Sequence, residues 1–195
     1  MITVMTPVPP DKAVTRPSLK NHFLIALRDL REDYFSNTVT YIIEHTDEGA
    51  FGVIINRPID LDFGDLFATI PAANKCLLPV LDGGPVGKDR IFFLHDSDVE
   101  YEYTQVLSDD ISLTTSQDIV YDLVAGTCPT RVLTLLGYAG WDGGQLELEL
   151  AENVWLVSPA NSEIIFDVPY EMRAESAAGL LGVDLHLVPT NAGHG

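Results

Sequence analysis

Several short β-type runs precede any helix in this chain, and helices are inserted only later. That order favours an α+β fold over a doubly wound parallel sheet. His22–Leu27 (HFLIAL) is a short apolar run of the kind that forms a buried strand. Thr38–His45 (TVTYIIEH) is rich in β-branched and aromatic residues, and TDEG at 46–49 has turn chemistry. Ala50–Asn56 (AFGVIIN) completes a hairpin, which Arg57-Pro58 ends because proline cannot donate to a ladder.

Further along, Phe63, Leu66, Phe67 and Ile70 predict a short helix over Asp62–Thr69. Pro79–Leu81 and Arg90–His95 read as strands around a tight Asp82-Gly83-Gly84-Pro85 loop. Val99–Val106 and Ile111–Leu113 carry β-formers among acids. Thr114–Gly126 predicts a helix with an Ile119, Val120, Leu123, Val124 stripe, a Thr115/Asp118 capping pair and a Gly126 stop. Arg131–Ala139 is an apolar strand running into a glycine-rich turn at 140–144. Gln145–Glu152 fits strand by its alternating leucines and helix by its residue types. Val154–Val157 predicts a strand. Ser162–Leu181 is predicted mostly helical, broken at Pro169, with a last helix over Glu171–Leu181 stopped by Gly182.

At 195 residues the chain has a prior of one domain and can bury a large core without disulfides. The expected division is a Pro-rich flexible arm over 1–18, one α+β domain over 19–189, and a flexible tail over 190–195. The N-terminus shows no signal-peptide pattern and no run is apolar enough to span a membrane, so a cytoplasmic location is expected. Cys76 and Cys128 lack C-x-x-C spacing and are expected as free thiols.

Charge narrows the function. Eleven basic residues face 29 acidic ones, a net of −18. Lys12, Arg16 and Lys20 sit in the first 20 residues against Asp11 alone, so the rest of the chain carries −20. Nucleic-acid affinity comes from Lys and Arg displacing counterions, so direct DNA or RNA contact by the body is not expected, nor is docking to an anionic membrane. From Ile91 to Thr130 there is no basic residue among eight acids. A solvated face is the expected role. A partner-binding acidic face is the alternative.

The blocks together resemble the YqgE/AlgH family of bacterial proteins. The matching segments are HFLIAL (22–27), VTYIIEH (39–45), GAFGVIINRP (49–58), GGPV (83–86), RIFFLH (90–95), LTTSQD (113–118), GYAGWDGGQLELEL (137–150) and WLVSPA (155–160), spread over roughly residues 19–187. The chain departs from the family pattern at Arg173-Ala174, where an Arg-Trp pair is common, and at Leu148, which interrupts an acidic pair. The resemblance implies a single α+β domain with a coiled or bifurcated, mostly antiparallel sheet and a few packed helices. It also implies cytoplasmic location and a regulator label without a DNA-binding motif.

Candidate chemistry is sparse. No zinc-type spacing, nucleophile elbow or P-loop occurs, and no metal or cofactor is expected. His45 and His95 are the candidate acid/base groups, with backbone hydrogen bonding at strand ends as the competing role. Asn56, Arg57, Gly83, Gly84, Pro85, Thr115, Ser116, Gly140 and Trp141 all fall at element ends, where binding groups concentrate. Arg57 offers a bidentate fork and Trp141 a stacking face. The expectation is a loop-built pocket for a small ligand, which requires Arg57 within about 15 Å of Gly84 or Trp141. These features favour a non-enzymatic ligand-binding or regulatory protein acting through a small molecule or protein partner. The alternatives are a hydrolase acting on a small anion and an acidic interaction module.

Overall fold

Side chains alternate across the strands, and in this chain both faces are apolar, so the sheet must be covered on both sides. A computed structural model describes residues 17–27, 34–127 and 129–187. In chain order the elements are β1 (His22–Ala26), β2 (Val39–Thr46), β3 (Gly49–Ile54), β4 (Pro58–Asp62), α1 (Phe63–Leu66), β5 (Pro79–Asp82), β6 (Val86–His95), β7 (Thr104–Val106) and β8 (Ser112–Thr114). They continue with α2 (Asp118–Ala125), β9 (Val132–Asp142), α3 (Gln145–Ala151), β10 (Trp155–Pro159), α4 (Ser162–Phe166) and α5 (Arg173–Gly179).

The sheet runs β10-β1-β2-β3-β9-β6-β8-β7, and β9 is its branch point. The end of β9 pairs antiparallel with β3, Gly52 opposite Ala139 through Gly49 opposite Asp142. Its start lies between β6, antiparallel, and β5, parallel, with β4 outside β5. The result is a bifurcated, curled, mostly antiparallel sheet in one α+β domain.

Phe23, Ile25, Val39, Tyr41, Val53, Leu94 and Leu135 face α4 and α5, which contribute Ile164, Ile165, Ala177 and Ala178. The opposite faces are covered in two patches. Phe63, Phe67, Val80 and Phe93 pack with Ile119 and Val120 of α2. Leu24, Ile42, Trp141 and Trp155 pack with Leu146 of α3. Each such Val, Leu, Ile or Phe side chain, fully buried, is worth about 1.5–3 kcal/mol.

Several sequence expectations change. The helix over 62–69 shrinks to α1, and β4 precedes it with half-buried Ile59 and Leu61 alternating with exposed residues. Pro58 therefore opens a strand, a position where its missing donor does no harm. The helix over 114–126 shortens to α2. Thr114 belongs to β8, and the cap position is Gln117, with no side-chain cap bond. The stop at Gly126 is left-handed as expected, at φ 69°.

The glycine-rich turn is shorter than expected, because Gly140 and Trp141 continue β9 opposite Phe51 and Ala50. The ambiguous 145–152 segment is the helix α3. Leu146 is buried, while Leu148 is 68% exposed, so the leucine alternation does not mark a two-sided strand. The last predicted helix divides into a single 3-10 turn at Tyr170–Met172 and α5.

Of the expected arm, Pro17 and Ser18 are described, and residues 1–16 and the 190–195 tail lie outside the described residues. Cys76 is a half-buried free thiol, and Cys128 lies outside the described residues. No helix among the described residues is long and apolar enough to cross a membrane.

Candidate functional site

The nine loop residues divide among three places. Asn56, Arg57, Gly83 and Gly84 form a corner where the β3–β4 and β5–β6 connections meet. Asn56 is structural, since its Oδ1 accepts from Val39 N–H (2.8 Å) and its amide donates to Asn37 O (2.9 Å). The glycine amides are likewise occupied. Gly83 N–H donates to Leu136 O (2.8 Å), and Gly84 N–H donates to Asp82 Oδ1 (3.3 Å). This is close backbone packing rather than an open anion cradle. Pro85 is exposed beside it.

Arg57 differs from its neighbours. Its guanidinium stacks over the Tyr34 ring, 5.0 Å from the centroid, and Nη2 donates a long 3.3 Å bond to Ser36 O. Nη1 stands 3.9 Å from Asp82 Oδ2, beyond hydrogen-bond length, and 29% of the side chain is exposed. Asp82 is instead held by Lys88 Nζ and by the Tyr34 hydroxyl, 2.5 Å away, while Lys88 also donates to that hydroxyl at 2.6 Å. Burial pushes the Asp82 carboxyl up, but the bonds from Lys88 and Tyr34 outweigh it and hold it below its ordinary value. Tyr34 is raised by burial and by Asp82, against Lys88. Burial alone would lower Lys88, but Asp82 and Tyr34 raise it. At neutral pH the corner is therefore two cations, one carboxylate and a neutral phenol. Sequence inspection picks out Arg57 but misses Tyr34, Asp82 and Lys88, which are brought in only by the pairing of distant strands.

Trp141 reaches this corner through ring contacts. Tyr34 meets Phe35 edge-on at 5.4 Å, and Phe35 stacks on Trp141 at 6.1 Å. Trp141 is 5% exposed and offers no open face. Its indole N–H and that of Trp155 both donate to Glu149 Oε2, at 2.8 and 2.7 Å. Gly140 is exposed on β9.

Thr115 and Ser116 lie elsewhere, after β8, which pairs with the far end of β6 (Phe93 opposite Thr114), whereas the glycine corner adjoins its near end at Val86. Ser116 is buried, donates to Asp118 Oδ1 (2.5 Å) and accepts from Tyr103 N–H (3.1 Å). Burial raises the Asp118 carboxyl, but the bond from Ser116, with those from the Glu102 and Ile119 amides, lowers it overall. Ser116 thus ties a loop to the start of α2.

Neither histidine is placed as an open base. His45 Nδ1 accepts from Leu19 N–H (2.9 Å), so its ring proton is on Nε2, donated to Glu147 Oε1 (2.9 Å). His95 is 0% exposed. Its Nδ1 donates to Asp96 O (2.7 Å), leaving Nε2 to accept from Thr114 Oγ1 (2.8 Å). Thr114 in turn accepts from Thr104 Oγ1 (2.7 Å), so the chain of donors has one direction.

Burial lowers the His95 pKa from 6.5, against opposing pulls from Asp96 and Asp98. The unfolded chain therefore takes up a proton that the folded chain refuses, and stability falls as pH drops below about 6.5. The contribution is complete above the unfolded value and lost toward the folded one. Urea unfolding at pH 7.5 and 5.5 should show a smaller acid loss for His95→Asn than for the parent. Equal losses would assign the acid sensitivity to other groups.

A cleft of about 340 Å³ that shares no lining residue with the corner lies between β4, α1 and residues 74–79, lined in part by Asp60, Asp62, Asp65 and Cys76. Among the described residues no group of three or more His, Cys, Asp or Glu is placed to hold a metal.

Comparison with known proteins adds the lineage. An AlgH-like family model matches residues 23–186. A UPF0301 protein of Saccharophagus degradans is 44% identical over 188 residues, spanning 95% of this chain and 93% of the relative. One from Pseudomonas paraeruginosa is 44% identical over 181 residues, spanning 90% and 95%. The solution structure of the AlgH protein from Pseudomonas aeruginosa superposes with a TM-score of 0.75 at 40% identity, covering 98% of this chain and all of that one. A crystal structure from Corynebacterium diphtheriae, 20% identical and covering 82% and 84%, shares the fold with a TM-score of 0.62. The family match over residues 23–186 and the shared fold agree: this protein belongs to the AlgH-like family.

Proposed function

We propose that this chain is a cytoplasmic, non-enzymatic binding protein with a regulatory role, acting through a small ligand or a protein partner and not by gripping DNA. The observation that carries this reading is the Tyr34–Arg57–Asp82–Lys88 corner, where a partly exposed guanidinium keeps donors that Asp82 does not use. The occupied nitrogens of His45 and His95 weigh against a hydrolase, which needs a base within reach of a nucleophile or bound water. The net of −20 beyond residue 20 weighs against nucleic acid.

A thermal-shift screen across metabolite classes tests the reading, because a ligand that binds only the folded state raises Tm. A shift from at least one class is the expected result. Retention on DNA at physiological salt, or turnover of a screened metabolite, would overturn it.

A second reading rests on a different surface. Tyr103 and Val106, 64% and 61% exposed at the β7 edge, lie in the stretch without basic residues and beside Glu102 and Asp118. That combination suits a protein partner with a basic rim.

A further inference from the structure

We propose that the Arg57–Lys88 corner is a receptor for the carboxylate of a small ligand, with Arg57 as its bidentate fork. This rests on the reading that the corner is a binding site, and it names the chemistry of the occupant.

Three observations point to a carboxylate. First, the fork is preorganised but only partly engaged. The Tyr34 ring sets the guanidinium plane at 5.0 Å, Ser36 O holds one nitrogen at 3.3 Å, and Asp82 stays at 3.9 Å. A guanidinium already fixed in place loses little further freedom on binding, and its fork matches a planar oxyanion. Second, Asp82 cannot swing across to satisfy Arg57 without giving up other partners. Lys88, the Tyr34 hydroxyl and the Gly84 amide all hold its carboxylate, whose side chain is only 12% exposed. Third, the charges select the ligand's valence. Arg57 and Lys88 against Asp82 leave one net positive charge, in a chain that is otherwise strongly acidic. A monoanionic carboxylate neutralises that charge. A phosphate dianion would leave an excess negative charge in the field of the whole protein.

The corner also carries its own reporter. Tyr34, Phe35 and Trp141 form a continuous ring contact, and Trp155 meets Phe35 edge-on at 5.5 Å. A ligand that shifts the Arg57–Tyr34 stack therefore perturbs Phe35 and the emission of the two tryptophans.

The test titrates the full chain with acetate, and separately with inorganic phosphate, at constant ionic strength. Tryptophan emission and the Arg57 Nε–H resonance are followed. Variants are Arg57→Gln, Arg57→Lys, which keeps the charge but not the fork, and Lys75→Gln, which removes an exposed cation elsewhere. Urea midpoints confirm that each variant is folded. The expected result is saturable acetate binding, weaker phosphate binding, at least a tenfold loss in Arg57→Gln, a smaller loss in Arg57→Lys, and no change in Lys75→Gln. The proposal is overturned if acetate does not saturate, if phosphate binds more tightly than acetate, or if Arg57→Gln behaves like Lys75→Gln. A screened metabolite that still shifts the Tm of Arg57→Gln as it does the parent would overturn this assignment while leaving the broader binding reading intact. A screen in which no metabolite shifts the parent would remove the small-ligand reading itself.

Discussion

Gly84→Ala is expected to leave no cooperatively folded protein, with a destabilisation above about 4 kcal/mol against a total stability of about 5–15 kcal/mol. Gly84 has φ 152°, a region that L side chains rarely adopt. A Cβ there would also penetrate the Tyr138 carbonyl and the Ala139 amide nitrogen, both backbone atoms of β9 that cannot rotate away. These atoms lie at the branch point of the sheet, between the β6 pair Val86–Tyr138 and the β3 pair Gly52–Ala139. Relief would require separating strands that hold the whole core. Circular dichroism and urea unfolding of the purified variant would decide it. A sharp transition with a midpoint near the parent's would show that the corner yields more easily than its packing implies.

The second large effect is expected at Arg173. Its guanidinium is 2% exposed in α5 and forms no ion pair among the described residues. Burial lowers its pKa to about 10, so it remains charged at neutral pH. It is held instead by carbonyls: Nε donates to Val168 O at 2.9 Å, Nη1 to Ile55 O, and the plane stacks on Tyr170 at 4.4 Å. The side chain thus joins the end of the β3 segment to the loop before α5. Arg173→Ala removes that link, opens a cavity and leaves two carbonyls unpaired, at a cost of about 3 kcal/mol. Arg173→Met, which refills the volume, should recover part of the loss. Arg173→Lys should not fully rescue, because one ammonium cannot reproduce a fork that reaches two carbonyls and stacks. Urea midpoints for the three variants test this, and a loss below about 1 kcal/mol for Arg173→Ala would show that the link contributes little. The neighbouring Ala174 is partly buried against the same core.

Most strands were legible because their signals are local. The β2–β3 hairpin follows from β-branched runs around TDEG, and β1, β5, β8 and β10 fall where short apolar runs predict strands. The misses share a cause. Pro58, read as a stop, opens β4, because Leu81 of β5 pairs with it from 23 residues away. Gly140 and Trp141, read as turn, extend β9, because Phe51 and Ala50 pair with them. The 145–152 segment, open between strand by its alternating leucines and helix by its residue types, is a helix with Leu146 buried and Leu148 exposed. For Pro58 and for Gly140-Trp141 a long-range partner overrides a local preference.

The candidate site was legible in part for a related reason. Arg57, Gly83 and Gly84 can be picked out by residue type at element ends, and the structure does bring them together. Their roles were legible only as the competing readings, backbone hydrogen bonding for the histidines and a tight loop for the glycines. The glycines pack backbone against backbone, Ser116 ties down a loop, and both histidines sit inside hydrogen-bond chains. Tyr34, Asp82 and Lys88 carry no motif and become neighbours only through the strand pairing.

By itself, then, the sequence determined the α+β class, the hairpin, the acidic body with its basic N-terminal end, and the family resemblance. These follow from composition, periodicity and contiguous blocks of residues. Only the tertiary structure decided that β9 branches the sheet, that Arg57 stands apart from Asp82, and that Lys88 and Tyr34 do not. Hydrogen-bond partners and desolvation depend on which distant segments share a surface, and no single stretch of chain contains that information.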